Sequence, residues 1–273
     1  MVHWTLDDIP WDSFQPDKLD PELLKLVKAA CLVEHHSGAY GEYLCAVFGE
    51  ESGFCEDAMA WSEEEIQHGK ALRRYAELAD PKFDFDDAFS RFSRGHPIDV
   101  NAEQSIRGSL CGEMVARCAV EVGTSSYYSA LRDSIEEPVL REICRNIAAD
   151  EFRHFKLFYS YAKHFQKIEG LSRWARFRIV LERFFETGDD ELSYAYYCGS
   201  GDTEPYVRRQ ANIACMARTL PLYRFDHVQR GVGMMLKSAG IKPQGILGKC
   251  ITRVGWIAFR IYTRHLQRAA GYA

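Results

Sequence analysis

Two short segments place a glutamate three residues before a histidine. They are Glu65 and His68 in Glu64-Glu65-Ile66-Gln67-His68, and Glu151 and His154 in Asp150-Glu151-Phe152-Arg153-His154. On a helix, residues three apart share one face about a turn apart, so each pair can grip one cation. A further glutamate leads each pair, Glu34 by 31 residues and Glu121 by 30. The arrangement is an internal repeat. Cys31-Leu32-Val33-Glu34 is echoed 87 residues later by Cys118-Ala119-Val120-Glu121, and Glu64–His68 is echoed 86 residues later by Asp150–His154. Carboxylates stabilise a high positive charge and can bridge two metals, while one imidazole per metal leaves coordination positions open. A lone Glu-x-x-His is common on exposed helix faces. Two in register within a duplicated pattern are much harder to reach by chance.

The expected metal ligands are therefore Glu34, Glu65, His68, Glu121, Glu151 and His154. Glu42 and Glu113 lie about two turns from Glu34 and Glu121 on the same helix faces and compete with them, Glu42 more strongly. His35 and His36 point about 100° and 200° away from Glu34 and are expected to cap, pair or face solvent. His96, His164, His227 and His265 have no partner pattern and are read as structural. Ligating imidazoles need an acceptor on the distal nitrogen to fix tautomer and orientation. By the symmetry of the repeat, Asp150 is expected to support His68, and Glu64 to support His154; the alternative is a pair of solvated helix charges.

The elements that position these residues are helical almost throughout, with scarce strand-like alternation. Asp20-Pro21 is a cap with proline at the first helical position, opening a helix to about Phe48. A second helix runs from about Asp57 to Ala79 and stops before Pro81. Residues 81–102 form a connection with a short helix around Asp86–Phe92. A third helix covers about Glu103–Ser134, and a fourth starts at Glu137-Pro138 and ends near Gln166. Two long helices, a crossover and two more long helices are the layout of a ferritin-like four-helix bundle, whose di-iron and di-manganese members carry this ligand set. The expected fold is all-α: an N-terminal extension over 1–19, the bundle over 20–168, and a helical C-terminal extension over 169–273 packing on it. That extension reads as about four helices, broken at Gly188–Asp190, Gly199–Thr203, Pro221 and Gly240–Gly248.

The segment Trp61-Ser62-Glu63-Glu64-Glu65-Ile66-Gln67-His68-Gly69-Lys70-Ala71-Leu72 resembles the second-helix motif of the soluble acyl-carrier-protein desaturases. Leu140 to His154 resembles that family's fourth-helix motif and ends in its Asp-Glu-x-Arg-His spacing. Glu121 followed by Thr124 is similar to its third-helix Glu-x-x-Thr. The resemblance covers roughly residues 25–170, is loose in the first helix, and is shared as a bare ligand pattern by other ferritin-like oxidases and rubrerythrins. It implies a non-haem centre of two Fe ions that activates O2, with electrons from an external donor such as a ferredoxin, to desaturate or hydroxylate an unactivated C–H bond. Manganese or a mixed pair suits the same ligands. A homodimer is admitted by the resemblance alone. Thr124 is the catalytic candidate, its hydroxyl placed near the oxygen site; the alternative is a bond to a backbone carbonyl one turn back. Tyr40, Tyr43, Cys118, Tyr128 and Phe158 can line an apolar tunnel for a lipid-like or acyl substrate, or can be ordinary core. Rubrerythrin-like peroxide reduction, iron handling, and a partner-binding bundle without redox chemistry are the competing functions. No rubredoxin-type cysteine set accompanies the bundle.

The whole chain has 273 residues and a formal net charge of −5, with 47% hydrophobic residues, which excludes disorder. The charge is unevenly spread. From His227 onward there are eight Lys/Arg and no Asp or Glu, so an acidic body of −13 carries a basic tail. Residues 243–270 read as a core-packed helix with a solvated basic face. That packed helix is the default; the alternatives are contact with an anionic membrane surface or with an acidic acyl carrier protein, and nucleic acid is not expected. Gly240, Gly245, Gly248 and Gly255 argue against one uninterrupted helix there. The N-terminus has neither a basic n-region nor an apolar h-region, and no stretch approaches 18 uncharged apolar residues. Nine scattered cysteines without C-x-x-C read as reduced, mostly buried thiols of a cytoplasmic protein, peripheral at a membrane surface if the tail docks there.

Overall fold

The computed structural model describes residues 4–49, 53–187, 191–201 and 204–271. Among these the chain is all-α, without a strand. Asp20 accepts from the N–H groups of Glu22 (2.8 Å) and Leu23 (3.4 Å), and Pro21 opens α1 (Pro21–His35). The single helix expected to reach Phe48 is two. The His36 N–H turns back to the carbonyls of Val33 and Glu34, and α2 (Ser37–Phe48) restarts beyond it. At the break α1 lies tight against α3 (Phe54–Ala79). The His35 ring donates to the Cys31 carbonyl (3.0 Å) and lies over Gly69, where a Cβ would meet His35 Nδ1 at 2.4 Å.

After α4 (Phe85–Gly95) the chain turns until α5 (Leu110–Arg132), which begins later than the expected Glu103. Gly108 has a φ of +74°, and Ser109 caps the helix by accepting from the Gly112 N–H at 3.0 Å. Residues 133–137 fold α6 (Pro138–Glu169) back along α5, and Gly170 ends it in the left-handed conformation, φ +67°. Among the described residues five α-helices follow rather than about four: α7 (Arg173–Thr187), α8 (Glu191–Ser200), α9 (Arg208–Thr219), α10 (Phe225–Ser238) and α11 (Ile246–Ala269). The break expected at Gly188–Asp190, and Asp202 and Thr203 at the next, lie outside the described residues. Contrary to expectation, α11 is unbroken and contains both Gly248 and Gly255. Gly248 serves packing: a Cβ there would lie 2.3 Å from the Pro243 carbonyl oxygen.

α5 and α6 pack most extensively, α1 and α2 lie against α3, and α3 meets α6. The buried apolar residues form two clusters. One holds Leu72, Tyr75, Tyr128 and Ile147; the other holds Trp61, Cys118, Phe155 and Phe158. On α3, α5 and α6 the chain passes from one cluster to the other through the Glu and His positions singled out above, so a polar layer separates two dry ones. Of the outer helices, α8 covers α1 and α4, α7 and α10 cover α5, and α11 packs on α9 and α10. Residues 4–19 form three 3₁₀ turns laid across α3 and α6.

One expectation about cysteine is corrected. Cys45 and Cys55, with Cα atoms 4.9 Å apart, form a disulfide between the end of α2 and the start of α3. The other seven are free, six of them buried and Cys250 exposed. Among the described residues no helix is long and apolar enough to cross a membrane.

Candidate metal centre

Glu34 ends α1, Glu65 and His68 sit mid-way along α3, Glu121 on α5, and Glu151 and His154 on α6. All six side chains are buried and converge. Their ligand atoms form two overlapping groups that can hold a metal ion, Glu34–Glu65–His68–Glu151 and Glu65–Glu121–Glu151–His154, with the atoms of each within 4.8 Å of one another. Glu65 and Glu151 belong to both. Glu65 presents Oε2 to His68 Nδ1 (3.0 Å) and Oε1 to His154 Nδ1 (3.1 Å). Glu151 presents Oε1 to His68 Nδ1 (3.4 Å) and Oε2 to His154 Nδ1 (3.9 Å). Glu34 and Glu121 flank the two ends, 3.9 Å from His68 Nδ1 and 3.7 Å from His154 Nδ1.

The competing glutamates lie elsewhere. Glu42 is exposed on α2. Glu113 is buried but accepts from Ser105 (2.6 Å) and Tyr43 (3.2 Å). His35 and His36 do not face solvent freely: His35 packs on Phe85 at 4.5 Å, and His36 is buried against Phe92. Burial lowers the pKa of both.

Each imidazole turns its other nitrogen outward to a carboxylate. His68 Nε2 lies 3.0 Å from Asp150 Oδ2, and His154 Nε2 lies 2.8 Å from Glu64 Oε2. A carboxylate only accepts, so Nε2–H donates outward, and Nδ1 faces the cluster, where it holds a proton against the carboxylates or would give its lone pair to a cation. Arg153 reaches both outer carboxylates, Glu64 at 3.1 Å and Asp150 at 2.5 Å. Trp4 completes the Asp150 shell. Its indole N–H donates to Oδ2 at 2.8 Å, and its ring stacks parallel to His68, centroids 6.0 Å apart. Burial raises the Asp150 pKa, but the bonds from His68, Arg153 and Trp4 prevail and hold it at about 2.

Tyr128, fully buried, donates to Glu34 Oε1. Thr124 has one proton and three acceptors in reach: the Val120 and Glu121 carbonyls (3.3 and 3.2 Å) and, closest, Glu151 Oε2. The backbone carbonyls of the alternative are in reach, and the same hydroxyl also reaches a carboxylate of the cluster. Trp61 and Phe158 form an apolar wall beside His154, with Cys118 fully buried one turn from Glu121. Tyr40 and Tyr43 lead away from the cluster, their hydroxyls donating to Glu191 and Glu113. Two surface clefts, at Arg132–Arg145 and between α4 and α8, are lined by none of the six cluster residues.

The cluster is electrostatically incomplete by itself. Both oxygens of Glu121, Oε1 of Glu151 and Nδ1 of His154 are buried without a hydrogen-bond partner, a costly state that native interiors avoid. Burial, then the Glu65 charge, pushes the Glu34 carboxyl well up; burial, then Glu151 and Glu65, does the same to Glu121. Burial opposes the charge on Glu65 too, but His154 and His68 outweigh it and hold that carboxyl well down. Burial likewise opposes charging the two imidazoles, yet the surrounding carboxylates raise both. A cation in the cluster supplies what these orphaned donors lack, so the residues present fit a metal.

Arg153 and Trp4 had no assigned role in the sequence. Arg153 carried a signal, since it stands between Asp150 and His154 in a segment already singled out; Trp4 carried none. The chain matches no protein-family model, and no curated protein matches it.

Proposed function

We propose that the chain is a ferritin-like four-helix bundle holding two Fe ions, and an oxidoreductase that activates O2 to desaturate or hydroxylate a lipid-like or acyl substrate. One observation carries the reading: Glu65 and Glu151 each face both inward imidazole nitrogens, as carboxylates shared between two adjacent cations would. Four carboxylates neutralise two divalent ions, and α1, α3, α5 and α6 each contribute to the set. Manganese, or one of each, fits the same donors.

Held by Glu34, Glu65, His68, Glu121, Glu151 and His154, such a centre would supply redox chemistry toward O2, with electrons from an external donor such as a ferredoxin. The residues of the chain do the rest. Asp150 and Glu64 hold the imidazoles in one tautomer and one orientation, and Arg153 locks the two carboxylates to each other. Thr124 and Tyr128 hold Glu151 and Glu34 by hydroxyl bonds and can return or accept a proton there. Trp61, Cys118 and Phe158 keep water from that side of the layer.

A second reading, rubrerythrin-like peroxide reduction or iron handling, has one observation in its favour. Cys118, Tyr128 and Phe158 are packed shut around the cluster, which admits a small oxidant more readily than an acyl chain. The experiment is single turnover. Anaerobically reduced, iron-loaded protein is mixed with O2 and its co-purifying lipids, and products are read by mass spectrometry. A substrate-dependent product lacking two hydrogens or gaining one oxygen supports the first reading. Rapid peroxide reduction without organic product supports the second, and absence of iron binding contradicts both.

A further inference from the structure

The sequence made the last helix a packed one with a solvated basic face. The structure reverses part of that. Its buried face is narrow and made of small or polar residues, Gly248, Thr252 and Thr263, with Leu266. Ile246, Leu247, Val254, Ile257, Ile261 and Tyr262 instead point outward, between 50% and 85% exposed. At about 100° per residue they span an arc of roughly 160° on the side away from α9 and α10. In the last turn the exposed His265 and Arg268 fall inside this arc, and the basic residues Lys249, Arg253, Arg260 and Arg264 occupy the adjoining one. Among the described residues no carboxylate lies within ion-pair distance of these four, and the sequence has no acidic residue after Asp226.

From this we infer that α11 docks on an anionic lipid surface, lying in the headgroup plane with its outward apolar arc immersed. Two features select that occupant. The apolar arc is wider than the seam that a single partner helix covers. A second copy of α11 would bring its cations against these with no acid on either helix to pair them, whereas anionic headgroups pair them all. Trp256, under the Arg260 guanidinium (5.4 Å to the ring centroid), and Tyr262 add rings of the kind that settle at headgroup level. α7 extends the theme: Trp174, Phe184 and Phe185 are exposed, and α10 packs on both α7 and α11. The docking surface stands independently of the chemistry at the metal centre; if that chemistry acts on lipid, the same surface delivers the protein to its substrate.

The test is flotation of the full chain with vesicles of phosphatidylcholine alone or mixed with phosphatidylglycerol, at low and high salt. The expected result is binding to the mixed vesicles only, weakened by salt. Removal of cations (Arg253→Gln, Arg260→Gln) should weaken partitioning by about fivefold per arginine. Removal of the arc (Val254→Gln, Ile257→Gln, Ile261→Gln) should abolish binding while leaving helicity and metal content unchanged, since these side chains touch no core. Three results would overturn the inference. They are no binding to the mixed vesicles at low salt, binding that the triple variant leaves intact, or a dimer or an acidic acyl carrier protein complex that the triple variant disrupts while vesicles are ignored.

Discussion

At the scale of single residues, the metal-free cluster is held together by protons that a metal must displace. Glu34, Glu121, His68 and His154 all have pKa values raised by folding. Each therefore adds stability that is complete below its unfolded value and is lost as pH rises through its folded one. Asp150 is opposite in sign: held at about 2, it contributes above about pH 4 and loses that contribution as pH falls toward 2. The metal-free chain should accordingly become less heat-stable as pH rises from about 6 to about 8, where the unfolded imidazoles give up protons that the folded ones keep. Metal binding releases those protons, so the gain in unfolding temperature on metal addition should grow over the same interval. Calorimetry of both forms across that range measures it, and a constant gain would contradict the proton assignment. Asp150→Asn keeps the shape but removes the charged acceptor from His68. It should weaken metal affinity by roughly 10–100-fold with little change in helicity, read by competition with a chelator.

At the scale of elements, the site depends on how closely α1 approaches α3. Gly69 follows His68 directly, and a Cβ there would come within 2.9 Å of both the His35 backbone nitrogen and its ring. Gly69→Ala should cost about 1–3 kcal/mol of stability as overpacking and, by pushing α1 away, loosen Glu34 from the cluster. Thermal unfolding together with metal content checks this, and adding His35→Ala should restore part of both. This dependence was half legible. The His-Gly pair was visible in the sequence, but nothing in it said that a histidine from α1 sits on the glycine. The duplicated spacing made the ligand-bearing helices readable because a metal cluster needs donors at fixed helical offsets. The division of α1 from α2 was not readable, because local propensity runs through His36 and tertiary contact with α3 ends the helix. The apolar residues of α11 were read as packing for the same reason: amphipathic spacing shows that a face exists, not what it faces.

At the scale of the whole molecule, a polar layer of four carboxylates and two imidazoles, supplied by α1, α3, α5 and α6, lies between two apolar clusters. The N-terminal segment lies over α3 and α6, and Trp4 reaches the layer directly, bonding Asp150 and stacking on His68. A buried acidic layer of this kind is a liability to the fold unless cations or protons neutralise it. The most direct measurement is therefore an anaerobic titration of the metal-stripped chain with ferrous ion, followed by native mass spectrometry and circular dichroism. The account predicts two ions per chain, bound without change in helicity, and loss of binding in a Glu65→Gln, Glu151→Gln variant that still folds. Binding of no ion, or of two ions that the double variant retains, would contradict it.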